Sequence, residues 1–197
     1  MSPQRSNRQK LIEGTLRCLV RLPAERITAR AIAAESGANP ASIVYHFGSK
    51  DELVTTAVIQ GLDRWLDEIA HELDDVEAAS PEQRFRAAWR AIETTRKRHE
   101  GLARSFLTAL ARAQHDPRVQ DLLTEGFLHT RPNLAAVLHL GDDRVGRDAA
   151  GLAHSMFIGL LFQTLLDPDL AIEGTHLERA QARLRTALPE TTAQRAR

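Results

Sequence analysis

The chain holds one cysteine in 197 residues, Cys18, so no disulfide can close within it and a reducing, cytoplasmic setting is the natural reading. Cys18 falls on the apolar side of a helix-patterned segment, where a buried, inert thiol is expected. The opening MSPQRSNRQK is polar and basic and has no apolar run of signal type, which argues against export. One stretch, Gly151 to Leu166, is apolar enough to raise the question of a membrane span. It is short for that and is interrupted by His154, Ser155, Gln163 and Thr164, so it reads as a core helix and no membrane partner is expected. A Gly-rich phosphate loop, a nucleophile elbow and a Cys-based zinc signature are also missing, and neither a cofactor nor an enzymatic role is expected. No segment alternates apolar and polar residues as a half-buried strand does, which leaves an all-helical fold.

An apolar fraction of 43% gives this length a sizeable core, with room for a small unit joined to a larger body. Net charge is zero but unevenly divided. Residues 1–50 carry Arg5, Arg8, Lys10, Arg17, Arg21, Arg26, Arg30 and Lys50 against Glu13, Glu25 and Glu35, a balance of +5 that leaves −5 for the rest. A basic end on an acidic body is the footprint of phosphate contact by one part only. Two Glu-x-x-His pairs, Glu68 with His71 and Glu173 with His176, have the ligand spacing of di-metal carboxylate bundles. The second falls in a loop and cap outside any bundle core, and chance accounts for both, so a helical metalloenzyme is the weaker alternative. A helical adaptor that binds only protein is another, and the basic rim speaks against it.

Start and stop signals divide the chain into about nine helices. Leu11, Ile12, Leu16, Leu19 and Leu22 form the buried side of the first, which stops before Pro23. Thr28 caps the second, which runs to Ser36, and Asn39 caps a short third with Pro40 at its first position. Ser49-Lys-Asp-Glu52 reads as a capping box opening a long fourth helix with Leu53, Ala57, Leu62, Trp65, Ile69 and Leu73 on its apolar face. After a polar stretch, Asp74 to Ala79, a second box at Ser80-Pro-Glu-Gln83 opens the fifth, with Phe85, Ala88, Trp89 and Ile92 inward. Leu102, Phe106, Ala109, Leu110 and Ala113 mark the sixth; Asp116-Pro117 starts the seventh, which Pro132 should kink or break. Asp142 or Asp143 starts the eighth, ending near Asp167. A third box, Thr175-His-Leu-Glu178, opens the ninth, ending at Pro189, and the last eight residues look frayed.

Between the second and third helices, Ala33 allows close approach, Gly37 accepts positive φ, and Ile43 and Phe47 face inward. The opposite side of the third helix, with Pro40, Ala41, Ser42, Val44 and Tyr45, is then free to enter a major groove. Thr28 and Arg30 at one rim and Lys50 at the other supply phosphate donors at helix starts.

The stretch Ile27 to Leu53, ITARAIAAESGANPASIVYHFGSKDEL, resembles the DNA-binding signature of the TetR family: its helix-turn-helix, Tyr45-His46-Phe47 and the following Ser-Lys-acid-Glu-Leu stand in order. The resemblance implies a homodimeric transcriptional regulator, a repressor released from a palindromic double-stranded DNA operator by a small molecule. It also implies that Thr28, Arg30, Tyr45, His46 and Lys50 touch phosphates or flanking bases, while Pro40, Ala41 and Ser42 approach base edges. Val44 departs from the tyrosine common in the family, so a thymine methyl becomes its expected partner.

The eighth helix is apolar on more than one side, and its own domain can cover only part of it. A partner subunit is therefore expected across Leu152, Met156, Gly159, Leu160, Leu177, Leu184 and Leu188, and TetR-like proteins form a four-helix bundle from these last two helices. Mid-helix Gly159 fits a close helix crossing. By the same resemblance a ligand pocket lies among the middle helices, with Trp89, Phe106, Phe127 and Phe157 as aromatic candidates and Arg131, His154 and Gln163 as polar ones. Residues 1–52 are expected to form the DNA-binding domain, 53–190 the ligand-binding and dimerisation domain, and 191–197 a flexible tail.

Overall fold

The computed structural model describes residues 6–23, 26–74 and 80–188, and its regular elements there are all helical. In chain order they are α1 (Asn7–Arg21), α2 (Ala29–Ser36), α3 (Ala41–Phe47), α4 (Lys50–Asp74), α5 (Pro81–Thr95), α6 (Glu100–Ala113), α7 (Pro117–Val137), α8 (Arg144–Leu166), a 3-10 turn at Pro168–Leu170, and α9 (Gly174–Ala187). The polar stretch after α4, the stop at Pro189 and the tail lie outside the described residues.

Two hydrophobic clusters hold these helices together. One joins α1, α2, α3 and the first half of α4 to α6 and the start of α7, through Leu11, Ile32, Ile43, Leu53, Phe106 and Val119. The other packs the second half of α4 against α5, α7, α8 and α9, through Trp65, Leu73, Trp89, Leu138, Phe157 and Leu177. Leu62 touches both, so α4 is one continuous helix shared by the N-terminal unit and the body. Polar ties lock the second layer: Trp65 Nε1 donates to Thr95 Oγ1 at 2.8 Å, linking α4 to α5. Buried Arg84 donates Nε to the Val137 carbonyl at 2.6 Å, satisfying an orphan acceptor at the C-terminus of α7.

Several local expectations hold. The Thr28 hydroxyl accepts from the Ala31 N–H at 3.1 Å, and Gly37 ends α2 at φ 65°. The box at Ser80 and Gln83 is reciprocal, with bonds of 3.0 and 3.3 Å. Others need correction. At α4 only half a box forms: Ser49 Oγ accepts from the Glu52 N–H, but the Glu52 carboxylate turns to the Ser49 hydroxyl and Arg118 rather than to the Ser49 N–H. At α9 no box forms, because the helix starts two residues early at Gly174, with Glu173 in the cap position and Glu178 drawn to Arg86 at 3.6 Å. Pro132 does not break α7. It removes one N–H, and the carbonyl it frees, at exposed Leu128, belongs to a face open to water. Finally, the helix around the 151–166 stretch is α8, with 23 residues and thus long enough to span a bilayer by length and composition, yet only 22% of its most apolar stretch is buried inside the chain. It is a core helix on one side only.

Candidate functional site

The N-terminal unit is set by close contacts. A Cβ on Gly14 of α1 would lie 2.6 Å from Ser36 Cβ, so glycine allows α1 and α2 to cross. Arg17 donates Nε to a Glu35 carboxylate oxygen at 2.7 Å and Nη2 to the Glu35 carbonyl at 2.6 Å, fastening the same crossing. Asn39 Oδ1 accepts from the Ala41 N–H at 2.9 Å, so the side chain one residue ahead of Pro40 caps α3. Ile43 and Phe47 are buried beneath α3, and the Arg8 guanidinium sits over the Phe47 ring at 5.1 Å.

Inward anchoring of Ile43 and Phe47 turns the other side of α3 to solvent. Pro40 and Ala41 are exposed, Val44 is 66% and Tyr45 84% exposed, and Ser42 and His46 are half-buried. The His46 ring meets Tyr45 edge-on at 4.8 Å. Thr28 and Arg30 are exposed at the start of α2. Lys50, at the start of α4, places Nζ 2.7 Å from Asp51 Oδ1, while Arg112 of α6 takes the other Asp51 oxygen. An isoleucine and a tyrosine cannot share one helix face with solvent and core alike; here α3 separates them cleanly, and the exposed side fits a groove.

A cavity of about 110 Å³ lies between α4, α5, α6, α7 and α8. Of the residues expected from the sequence, Phe106, Phe127, His154 and Phe157 line it, together with Trp65. Trp89 stands behind the wall, stacked on Phe157 at 5.6 Å. Arg131 is exposed, its guanidinium covering Gly151 of α8 from outside, and Gln163 is exposed on α8. The polar residues of the lining are Asp63, Thr130 and His154. Asp63 is not among the residues expected from the sequence, although its signal is present: it sits in the stripe Ile59, Leu62, Asp63, Leu66, where helical spacing calls for an apolar side chain. Burial pushes its carboxyl up from the usual range, Asp67 adds to this, and His129 and the Thr130 hydroxyl oppose it. Burial pushes His154 down, with Arg131 adding to the shift, so its imidazole is neutral at pH 7. Cys18 is buried and its thiol raised, chiefly by burial, as an inert thiol requires.

On the outer side of α8, Leu152 is 73% and Leu166 84% exposed, Met156 and Leu160 are half-buried, and nothing lies within 4 Å of a Cβ placed on Gly159. Leu184 of α9 and Leu188 just after it are exposed as well, whereas Leu177 is buried in its own chain, in the cluster around Trp89. Of the two Glu-x-x-His pairs, Glu68 is engaged by Arg98 and His99, and Glu173 by Arg96 at 3.0 Å. Among the described residues no group of three His, Cys, Asp or Glu side chains is gathered to hold a metal.

Helix-turn-helix geometry with an outward α3, carried on a helical body, is that of a DNA-binding regulator. Residues 11–57 match the family model described as bacterial regulatory proteins, tetR family. The match covers the helix-turn-helix unit, from α1 into the first turns of α4, so this unit is similar to the DNA-binding part of tetR-family regulators. Solved structures agree in fold across nearly the whole chain. A putative transcriptional regulator from Pseudomonas aeruginosa is 22% identical with TM-score 0.62, covering 91% of this chain and 89% of its own. A TetR transcription regulator from Haloarcula marismortui is 20% identical with TM-score 0.60, covering 91% and 95%. The multidrug binding protein EbrR, solved with imidazole, is 20% identical with TM-score 0.62, covering 96% and 94%. At such identities the likeness is one of fold. No curated protein matches the chain in sequence.

Proposed function

We propose that this protein is a ligand-responsive repressor of the cytoplasm: a homodimer that holds a palindromic operator with residues 1–52 and is released when a small molecule enters the cavity of the body formed by residues 53–190. The observation that carries the reading is that α4 is continuous from Lys50, at the rim of the reading head, to Ile59, Leu62 and Trp65 in the cavity wall. A ligand that shifts the wall displaces the same rod that positions the head, so the two heads of a dimer no longer match successive major grooves. Ligand and DNA then antagonise each other reciprocally. EbrR, a multidrug binding protein solved with imidazole, has a similar fold and supports a small-molecule role for the body.

In this reading Thr28, Arg30, Tyr45, His46 and Lys50 grip the backbone, and Pro40, Ala41, Ser42 and Val44 approach base edges. A salt titration of operator binding separates the two roles. Lys50→Ala should weaken binding to every sequence and reduce the slope of log affinity against log salt by about one for each phosphate that no longer meets a cation. Asp51 keeps Arg112 as a partner, so removing the Lys50 ammonium leaves no carboxylate stranded. Ser42→Ala should leave the slope alone and relax preference at one position of each half-site by about 1 kcal/mol. Unchanged affinity and slope for Lys50→Ala would remove the phosphate role.

A further inference from the structure

A carboxylate in an apolar wall is costly unless something meets its charge. Asp63 is the one acidic group lining the cavity, and among the described residues it forms no salt bridge. Its local partners are the Thr130 hydroxyl and, at longer range, His129, with Asp67 adding a second negative charge nearby. No lysine or arginine lines the cavity; the Arg131 guanidinium lies on the outside, over Gly151. His154, its ring 5.4 Å from Phe127, offers a hydrogen bond rather than a charge. Around this single negative group stand four aromatic side chains, Trp65, Phe106, Phe127 and Phe157, whose ring faces attract cations. The remaining wall is aliphatic apart from Thr130 and His154.

We infer that the ligand of this cavity is a small lipophilic cation, an amine with one aromatic or alkyl body, held by the Asp63 carboxylate within the aromatic wall. The inference rests on the cavity being the effector site. An anion of the same shape would meet Asp63 and Asp67 with no lysine or arginine in the wall to offset them, and a neutral molecule would leave the half-buried carboxylate without a counter-ion inside the cavity. The volume suits a body of about one ring, comparable to engineered cavities that admit benzene. Acid should weaken binding twice over. The raised Asp63 carboxyl takes a proton at higher pH than an ordinary aspartate, and His154 gains a positive charge only below the usual imidazole range.

Three probes of one skeleton decide the class: phenethylamine, cationic at neutral pH, phenethyl alcohol and phenylacetate. Each is titrated calorimetrically into the full-length protein, with operator binding of the unliganded protein as the measure of fold. Phenethylamine should bind at least about tenfold more tightly than phenethyl alcohol, the difference expected of a charge-assisted contact, and phenylacetate should not bind. Asp63→Asn should abolish that preference, retain phenethyl alcohol binding and leave operator affinity intact. If phenethyl alcohol or phenylacetate binds wild type as well as the amine does, the cation class is wrong while the cavity remains an effector site. The same conclusion follows if Asp63→Asn binds the amine undiminished. If none of the three binds wild type, the inference and the effector-site reading fall together.

Discussion

Gly101→Ala should destabilise the protein by about 2 kcal/mol, the middle of the range for overpacking, and lower its melting midpoint by roughly 4–8 °C for a chain of this size. Two effects oppose each other at this position. In the first turn of α6, alanine gains up to about 1 kcal/mol over glycine from helix propensity. Against that, its Cβ would overlap the Leu19 carbonyl oxygen, which belongs to the last turn of α1, where carbonyls lack intrahelical partners. The glycine is what lets α6 come this close to that carbonyl. Because the opposing atom is backbone rather than a flexible side chain, α1 and α6 must separate, and the packing of Leu102 and Leu16 against Gly61 of α4 opens with them. Operator affinity should fall too, since this seam sets the head against the body. Thermal melts and DNA titrations of Gly101→Ala check both effects. A midpoint equal to or above wild type would mean that the helices part without cost.

What the sequence makes legible depends on how local the cause is. Gly37, Asn39, Ile43 and Phe47 are readable because a tight turn between two short helices leaves each residue type one physical use: left-handed backbone, cap, or buried plug. The same holds for the Ser80 box, where exposed residues compete with nothing. Ser49 and Thr175 carry the same letters, yet Glu52 is claimed by Arg118 from α7 and Glu178 by Arg86 from α5, partners far away in sequence. Cavity membership is less legible still. Phe106, Phe127, His154 and Phe157 stand out as aromatic or polar residues on apolar faces, but Trp89 shares that pattern and packs one layer back. Asp63 is hidden because a charged residue on an amphipathic helix ordinarily belongs to the solvent side. Arg131 would turn inward only at a broken helix; with α7 unbroken, it remains outside.

Leu152→Glu should convert the protein to a folded monomer whose operator affinity falls by roughly 10²- to 10⁴-fold, the avidity that disappears when two linked half-site contacts become independent. Leu152, Met156, Gly159, Gln163 and Leu166 follow one another along the outer side of α8 at helical spacing, and the side chains of Leu184 in α9 and Leu188 just after it add to the uncovered apolar surface. Patches of this kind mark association surfaces in water. Gly159 costs α8 up to about 1 kcal/mol relative to alanine. Nothing in its own chain needs the space, which accords with a second helix crossing there. Leu152 is the cleaner site for a charge than Leu160, which is half-buried and lines a small cleft beside Trp89, so that a change at 160 would disturb the protomer itself. At an isologous interface one substitution places two glutamates on the buried surface, each needing desolvation without a partner. Light scattering across a concentration series, operator titration and a thermal melt test the expectation. A tight-binding Leu152→Glu dimer would move the interface elsewhere on the molecule, and a melt lowered to the point of unfolding would be resolved with Gly159→Leu, which blocks the same crossing without burying a charge.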